Sequence, residues 1–430
     1  VCLTRVRHHQ KGEVYMVTKE QVNKYKELLN ENKKISKKVM KKFKRTYIIS
    51  VIIGAILGFG IVAAGIVLEL NGIMSFDLYM NYFMKGFALF VLFFIIHIII
   101  HEVGHLIFGL VSGYGFLSFR IFSFTLVKKD GKFHRKRFKI GGTVGQCLMY
   151  PPERNEDGSF PYVLYNLGGG LTNLITSLPF IIAGIFVDSI TGRVLSISFA
   201  ASGIMLAANN LIPINFGLQN DGMNLLSLSK DKCFQDGFYL QLQINAEMSD
   251  GKLITEYDIK TFDLPEDADD TNMLTVANRF YSYYWYLAQE DYESAYNILM
   301  KMTKKLGEYS LVNFNMIQAE RFFFMVLHKR PLEEITALYS STRQVLISSK
   351  TNIGIQRIRY VYETLLTEDD KKDIMSLIRN KEVKKWKPTD LDKLYKEIIK
   401  TAERYPVEGE AKMHIDIMNY CVFSSQDMVQ

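Results

Sequence analysis

The sequence predicts an all-α membrane protein with about four transmembrane helices and a cytoplasmic β-hairpin insertion, followed by a soluble α-helical repeat, solenoid-like domain. Three observations predict it. Apolar residues make up 48% of 430 and crowd into the first half, in runs over 47–70, 85–112, 163–187 and 194–212. Each run is close to the roughly 20 residues a helix needs to cross a bilayer. Lysine and arginine concentrate beside these runs, and positive residues next to a span favour the cytoplasmic side. Beyond Asp231 the apolar runs stop, and punctuation recurs about every forty residues, the period of stacked helical hairpins.

Residues 1–15 read as a leader rather than as folded protein. Lys11-Gly12-Glu13 is what a purine-rich tract ahead of Met16 would encode, so the native chain is expected to begin at Met16. Residues 1–46 form a basic cytoplasmic segment ending KKISKKVMKKFKR, directly before the first apolar run. Lysines so placed suit anionic lipid, and nucleic acid is not expected as a partner. The amino terminus is then inside, and the first span runs outward. The link from Asn71 to Met84 holds Asp77 and no lysine or arginine, as an outside loop should.

The returning run, FALFVLFFIIHIIIHEVGHLIFGLVS, contains His101, Glu102 and His105. Ionisable groups inside a span cost a few kcal/mol or more, so three within five positions need a chemical reason. Residues i and i+4 share a helix face, so both imidazoles can close on one ion. H-E-x-x-H is the zinc arrangement in which the glutamate is general base toward a water that the metal acidifies. The bland reading is polar residues packed by chance inside a bundle. His97 lies one turn further back and is expected to line a polar interior or support the ligands rather than bind. The site falls toward the cytoplasmic end of its helix.

Between Gly113 and Tyr162, short alternating runs flank Lys129-Asp130-Gly131, which marks a hairpin. Its basic residues place it inside, where a sheet edge near the metal site can pair with an extended substrate. An ordinary basic loop that attracts anionic lipid is the alternative. The third run carries Asn166, Gly168 to Gly170, Asn173 and Pro179, small and polar residues that suit close helix contacts. The fourth ends NNLIPINFGLQNDG. There Asn210 and Pro213 break the helix at a depth where irregular backbone is tolerated only inside protein or lining a cavity. Asp221 is therefore the expected third zinc ligand, with an N-cap role for the following helix as the alternative. Cys2, Cys147, Cys233 and Cys421 are scattered and form no C-x-x-C pair, which argues against a disulfide framework and a cysteine zinc site.

The intramembrane domain is expected over 47–228, a linker over 229–272 and the cytoplasmic helical repeat domain over 273–430. The linker includes the acidic DLPEDADDTN. In the last part, ANRFYSYYWYLAQEDYESAYNILMKM is similar to a tetratricopeptide repeat, and hinge points recur near Asp291, Lys329-Arg330-Pro331 and Glu368-Asp369-Asp370. Such arrays present a groove to a partner protein or peptide. The aromatic cluster Phe280 to Tyr286 reads as core.

Together, H-E-V-G-H over 101–105, GGLTN over 169–173, N-L-I-P over 210–213 and Asp221-Gly222 resemble the site-2 protease family of intramembrane zinc metalloproteases. The resemblance covers about a third of the chain. It departs in the longer gap from Pro213 to Asp221 and in Leu171, where family members often have proline. It implies Zn2+ held by His101, His105 and Asp221, with Glu102 as the catalytic base. Asn173 and Asn210 would hold substrate or polarise its carbonyl. The expected activity is hydrolysis of membrane-embedded peptides or single-pass proteins in a bacterial plasma membrane, for regulated proteolysis or peptide-signal maturation, with both termini cytoplasmic. The competing class is an inactive metal-binding scaffold whose helical domain binds partners.

Overall fold

The computed structural model describes residues 18–129, 131–139, 143–213, 219–378 and 387–427, without most side chains between 42 and 65 and those of 423–427. The leader ahead of Met16 and Asp130 of the hairpin turn lie outside the described residues. The chain divides into two compact units, one of residues up to 41, 138–141 and 247 onward, the other of 42–137 and 142–246.

The second unit is built on α2 (Phe76–Val111), α3 (Tyr162–Phe186) and α4 (Ile190–Leu211), which pack on one another. All three are long and apolar enough to cross a membrane. Ser75 caps α2, its hydroxyl accepting from the Leu78 N–H. At the other end Gly113 takes φ +84, and the amides of Gly113 and Tyr114 bond the carbonyls of Leu110 and Gly109. This is the glycine-dependent stop that satisfies a helix's last carbonyls.

The sidedness of these helices is inverted relative to a protein packed in water. Buried positions are His97, His101, Glu102, Gly104, His105 and Gly109 on α2, and Ser196, Ser198, Ala200, Ser202, Gly203 and Ala207 on α4. The outward residues are Ile95, Ile99, Ile107, Leu178, Ile182 and Ile197. A polar, small-residue interior with an apolar exterior is what lipid selects, because isoleucine gains nothing by leaving it and only close packing joins the helices. Of the expected four spans, the first, over 47–70, falls in α1 (Lys19–Leu70), most of whose side chains there are outside the described residues.

The fold is mostly helical, and the expected hairpin insertion belongs to a larger sheet. Between α2 and α3 lies a four-stranded antiparallel sheet of β1 (Gly115–Ile121), β2 (Phe124–Lys129), β3 (Lys132–Arg137) and β4 (Gly145–Tyr150), in the order β3-β2-β1-β4. The hairpin is β2–β3, paired from Lys129↔Lys132 with Gly131 at φ +73. Two further strands extend it on the β2 side: β4 alternates with period two and buries Cys147 and Met149, whereas β1 buries Leu117 and Ser118 together where its pairing with β4 shifts register. After α4 come α5 (Asp221–Leu228) and α6 (Lys232–Ser249), so part of the expected linker 229–272 is helical.

The first unit is helical. Its helices are α7 (Val276–Ala288), α8 (Tyr292–Lys304), α9 (Leu311–Leu327), α10 (Leu332–Ser348), α11 (Ile353–Leu365), α12 (Glu368–Ile378), α13 (Leu391–Ala402) and α14 (Glu408–Asp427). Each expected hinge precedes a helix: Asp291 caps α8, Pro331 precedes α10, and α12 opens at Glu368. The start of α1 belongs here too. Its Tyr25 and Val39 are buried, Lys24 pairs with Glu334 at 3.2 Å and the Tyr25 hydroxyl meets Ser340 at 3.3 Å. The basic segment is therefore partly a packed helix. Tyr283 and Tyr284 are core, as expected of the aromatic cluster, donating to the buried Glu320 carboxylate that also pairs with Arg357.

Candidate metal centre

Helical spacing puts His101 and His105 on the interior face of α2, 7% and 9% exposed. Their Nε2 atoms are 3.1 Å apart. Asp221 arrives from more than a hundred residues downstream, and its Oδ2 lies 3.3 Å from each. The N-cap role falls to Asn220, whose side chain accepts from the Met223 N–H and donates to the carbonyls of Asn209 and Ile212. Asn220 thereby clamps the start of α5 to the end of α4, and Asp221 projects from the first helical position. Segment 214–218 lies outside the described residues.

Three donors each about 2.0 Å from a common centre at tetrahedral angles are about 3.3 Å apart. Separations of 3.1 to 3.3 Å fit that spacing. Asp221 Oδ2 is buried and accepts no hydrogen bond. A buried oxygen facing two ring nitrogens calls for a cation between them, and the donor set of two imidazoles and a carboxylate fits zinc.

The outer ring nitrogens are also engaged. His105 Nδ1 lies 2.8 Å from the Tyr165 carbonyl, to which it donates. His101 Nδ1 lies 3.4 Å from the amide of Asn173, which also lies 3.1 Å from His97 Nδ1. His97 is 0% exposed. A Cβ on Gly169 would overlap the His101 ring, and one on Gly104 would overlap the Gly168 carbonyl and Thr172. The GGLTN segment is thus legible as the surface that lets α3 approach the metal face of α2. Asn210 is placed differently from Asn173, since its amide donates back to the Leu206 carbonyl of its own helix.

Glu102 is 9% exposed and faces β4, where a Cβ on Gly145 would overlap its carboxylate. Arg120, 2% exposed, donates to the carbonyls of Phe122, Thr143 and Gly145 and to the Thr143 hydroxyl. It fixes the start of β4 against Glu102. Neither Arg120 nor Gly145 was singled out by sequence reasoning. The signal was a lone arginine within the otherwise uncharged strand GFLSFRI.

Comparison with protein-family models, with curated proteins and with solved structures finds no match. The helical unit separately holds a cavity of about 620 Å³ lined by Tyr292, Tyr296, Met300, Phe324 and His328.

Proposed function

We propose that the chain is a zinc-dependent intramembrane endopeptidase of the site-2 protease type. One observation carries this reading: His101, His105 and Asp221 converge at ligand spacing inside a helix bundle with a lipid-facing exterior, and Glu102 lies beside them. Zinc, when bound, supplies a Lewis acid that brings the pKa of water to about 7. Glu102 would serve as general base toward the attacking water and return the proton to the leaving amine. Gly145, without a side chain, lets the Glu102 carboxylate lie directly against the start of β4.

The sheet supports substrate handling. β4 is an end strand that begins beside Glu102, so an extended peptide pairing with its edge would pass the base. Asn210 donates one N–H to Leu206 and has a second to offer a substrate carbonyl. The membrane-embedded substrate is a peptide or single-pass protein. The apolar run 47–70 supplies a fourth crossing, so that the chain crosses an even number of times with the basic loops and both termini cytoplasmic in a bacterial plasma membrane. The helical unit, read as a degenerate tetratricopeptide-like array, offers a peptide or protein partner its groove.

The test is reconstituted cleavage by Glu102→Gln. The variant is expected to keep stoichiometric zinc and lose proteolysis. Equal processing by wild type and variant would refute the reading.

A further inference from the structure

We infer that His97 and Asn173 form a hydrogen-bond relay that fixes the tautomer of His101, so that metal affinity depends on a residue one full turn beyond the ligands. The inference rests on the metal centre proposed above.

The argument is one of proton counting. His97 Nε2 lies 3.1 Å from the Phe199 carbonyl, which can only accept, so Nε2 carries a proton. The ring is 0% exposed, packed at a tilt against Phe199 with centroids 4.4 Å apart and closed in by Gly203. A second proton would make it a cation at membrane depth, which costs several kcal/mol. His97 Nδ1 is therefore a lone pair, so the Asn173 amide, whose oxygen is placed 3.1 Å from it and whose nitrogen is placed 3.4 Å from His101 Nδ1, must turn over to offer it N–H. A half-turn of the Asn173 amide about its Cβ–Cγ bond exchanges oxygen and nitrogen without moving another heavy atom. With the NH2 toward His97, the oxygen faces His101 Nδ1, which then donates to it.

That leaves His101 Nε2 with its lone pair aimed at the point shared with His105 Nε2 and Asp221 Oδ2, 3.1 and 3.3 Å away. The opposite amide orientation would donate to His101 Nδ1 and put the proton on the ligating nitrogen. The two ligands are thus set by different means. His105 has a fixed backbone acceptor at Tyr165, whereas His101 has a rotatable amide that is informative only because His97 orients it. Asn173 is then a positioning residue, spent between two imidazoles and not aimed at substrate.

The test uses the full chain in detergent micelles, with Zn2+ as probe in competition with a chromophoric chelator and 15N NMR of labelled histidines. In the zinc-bound wild type, His97 is expected to show the Nε2–H pattern and His101 the Nδ1–H pattern. His97→Phe is expected to weaken zinc about 10- to 100-fold, the range for partners of metal-bound histidine. Asn173→Leu should cost at least as much, and the double variant no more than Asn173→Leu alone. Asn173→Asp should rescue His97→Phe, because a carboxylate accepts from His101 with either oxygen. His97 found as Nδ1–H, or His97→Phe binding zinc like the wild type, would overturn the relay while leaving the metal centre standing. Additive losses that track thermal stability would also overturn it. Wild type that binds no zinc would overturn the metal centre and the relay together.

Discussion

Replacing Gly169 with alanine tests the ligand geometry at one carbon atom. A Cβ built there would lie 2.7 Å from His101 Nε2, with two other ring atoms closer still. Comfortable contact is about 3.5 Å or more, so the ring must yield by about 1 Å. Metal sites hold ligand distances to within about 0.2 Å, so the ring cannot both yield and bind as before. Overpacking of this kind costs about 1–3 kcal/mol. Charged to the metal, that is about 5- to 150-fold in zinc affinity, at 1.4 kcal/mol per tenfold. Alanine also gains up to about 1 kcal/mol of helix propensity over glycine, so the apoprotein should melt near the wild-type temperature. Gly170→Ala is the control, since its Cβ would meet the Leu211 side chain rather than a ligand. The assay is zinc competition with thermal unfolding in parallel. A folded Gly169→Ala that binds zinc within twofold of wild type would refute the arrangement of α3 against His101.

Three further outcomes follow from the remaining structure. Arg120→Met should leave zinc content unchanged while lowering kcat about tenfold or more, because the start of β4 loses its anchor beside Glu102; unaltered kcat would count against the wall. Arg357→Met should destabilise the helical unit by about 3–5 kcal/mol, since Glu320, 0% exposed, keeps only two tyrosine donors, and Arg357→Met with Glu320→Leu should cost less, both read by chemical denaturation. Burial pushes the Glu410 carboxyl up from 4.5 to about 7, against the lowering hydrogen bond from Tyr405. The folded state then holds the extra proton between those values, so the stability of wild type minus that of Glu410→Gln should fall as pH rises from about 4.5 to 7 and be level above. A difference that rises over that window would reverse the assignment.

The pairing of His101 with His105 was legible because it is local: i and i+4 on one helix need no tertiary knowledge. Asp221 was legible for a different reason, since an aspartate after a broken apolar helix has few uses at that depth. What sequence could not supply was register. Arg120 reaches Glu102 only through the pairing of β1 with β4, and the strand GQCLMY is too short to separate from a loop by periodicity. Asn173 and Asn210 look alike in sequence, yet one lies between imidazoles and the other bonds back to its helix; the difference depends on helix rotation, which alternation of apolar residues does not fix when every outward face is apolar. The lysine-rich start suggested a lipid-facing leader. Tyr25 and Val39, fourteen residues apart and so on one helix face, are the residues that dock it, and lysines around them hid the stripe.

The most direct measurement is zinc K-edge X-ray absorption on the purified full chain. The account predicts one zinc per chain with a shell of nitrogen and oxygen at about 2.0–2.1 Å and the outer scattering of two imidazoles, collapsing to weak binding in Asp221→Ala. Absence of stoichiometric zinc, sulfur scatterers at about 2.3 Å, or an unchanged spectrum in Asp221→Ala would contradict it.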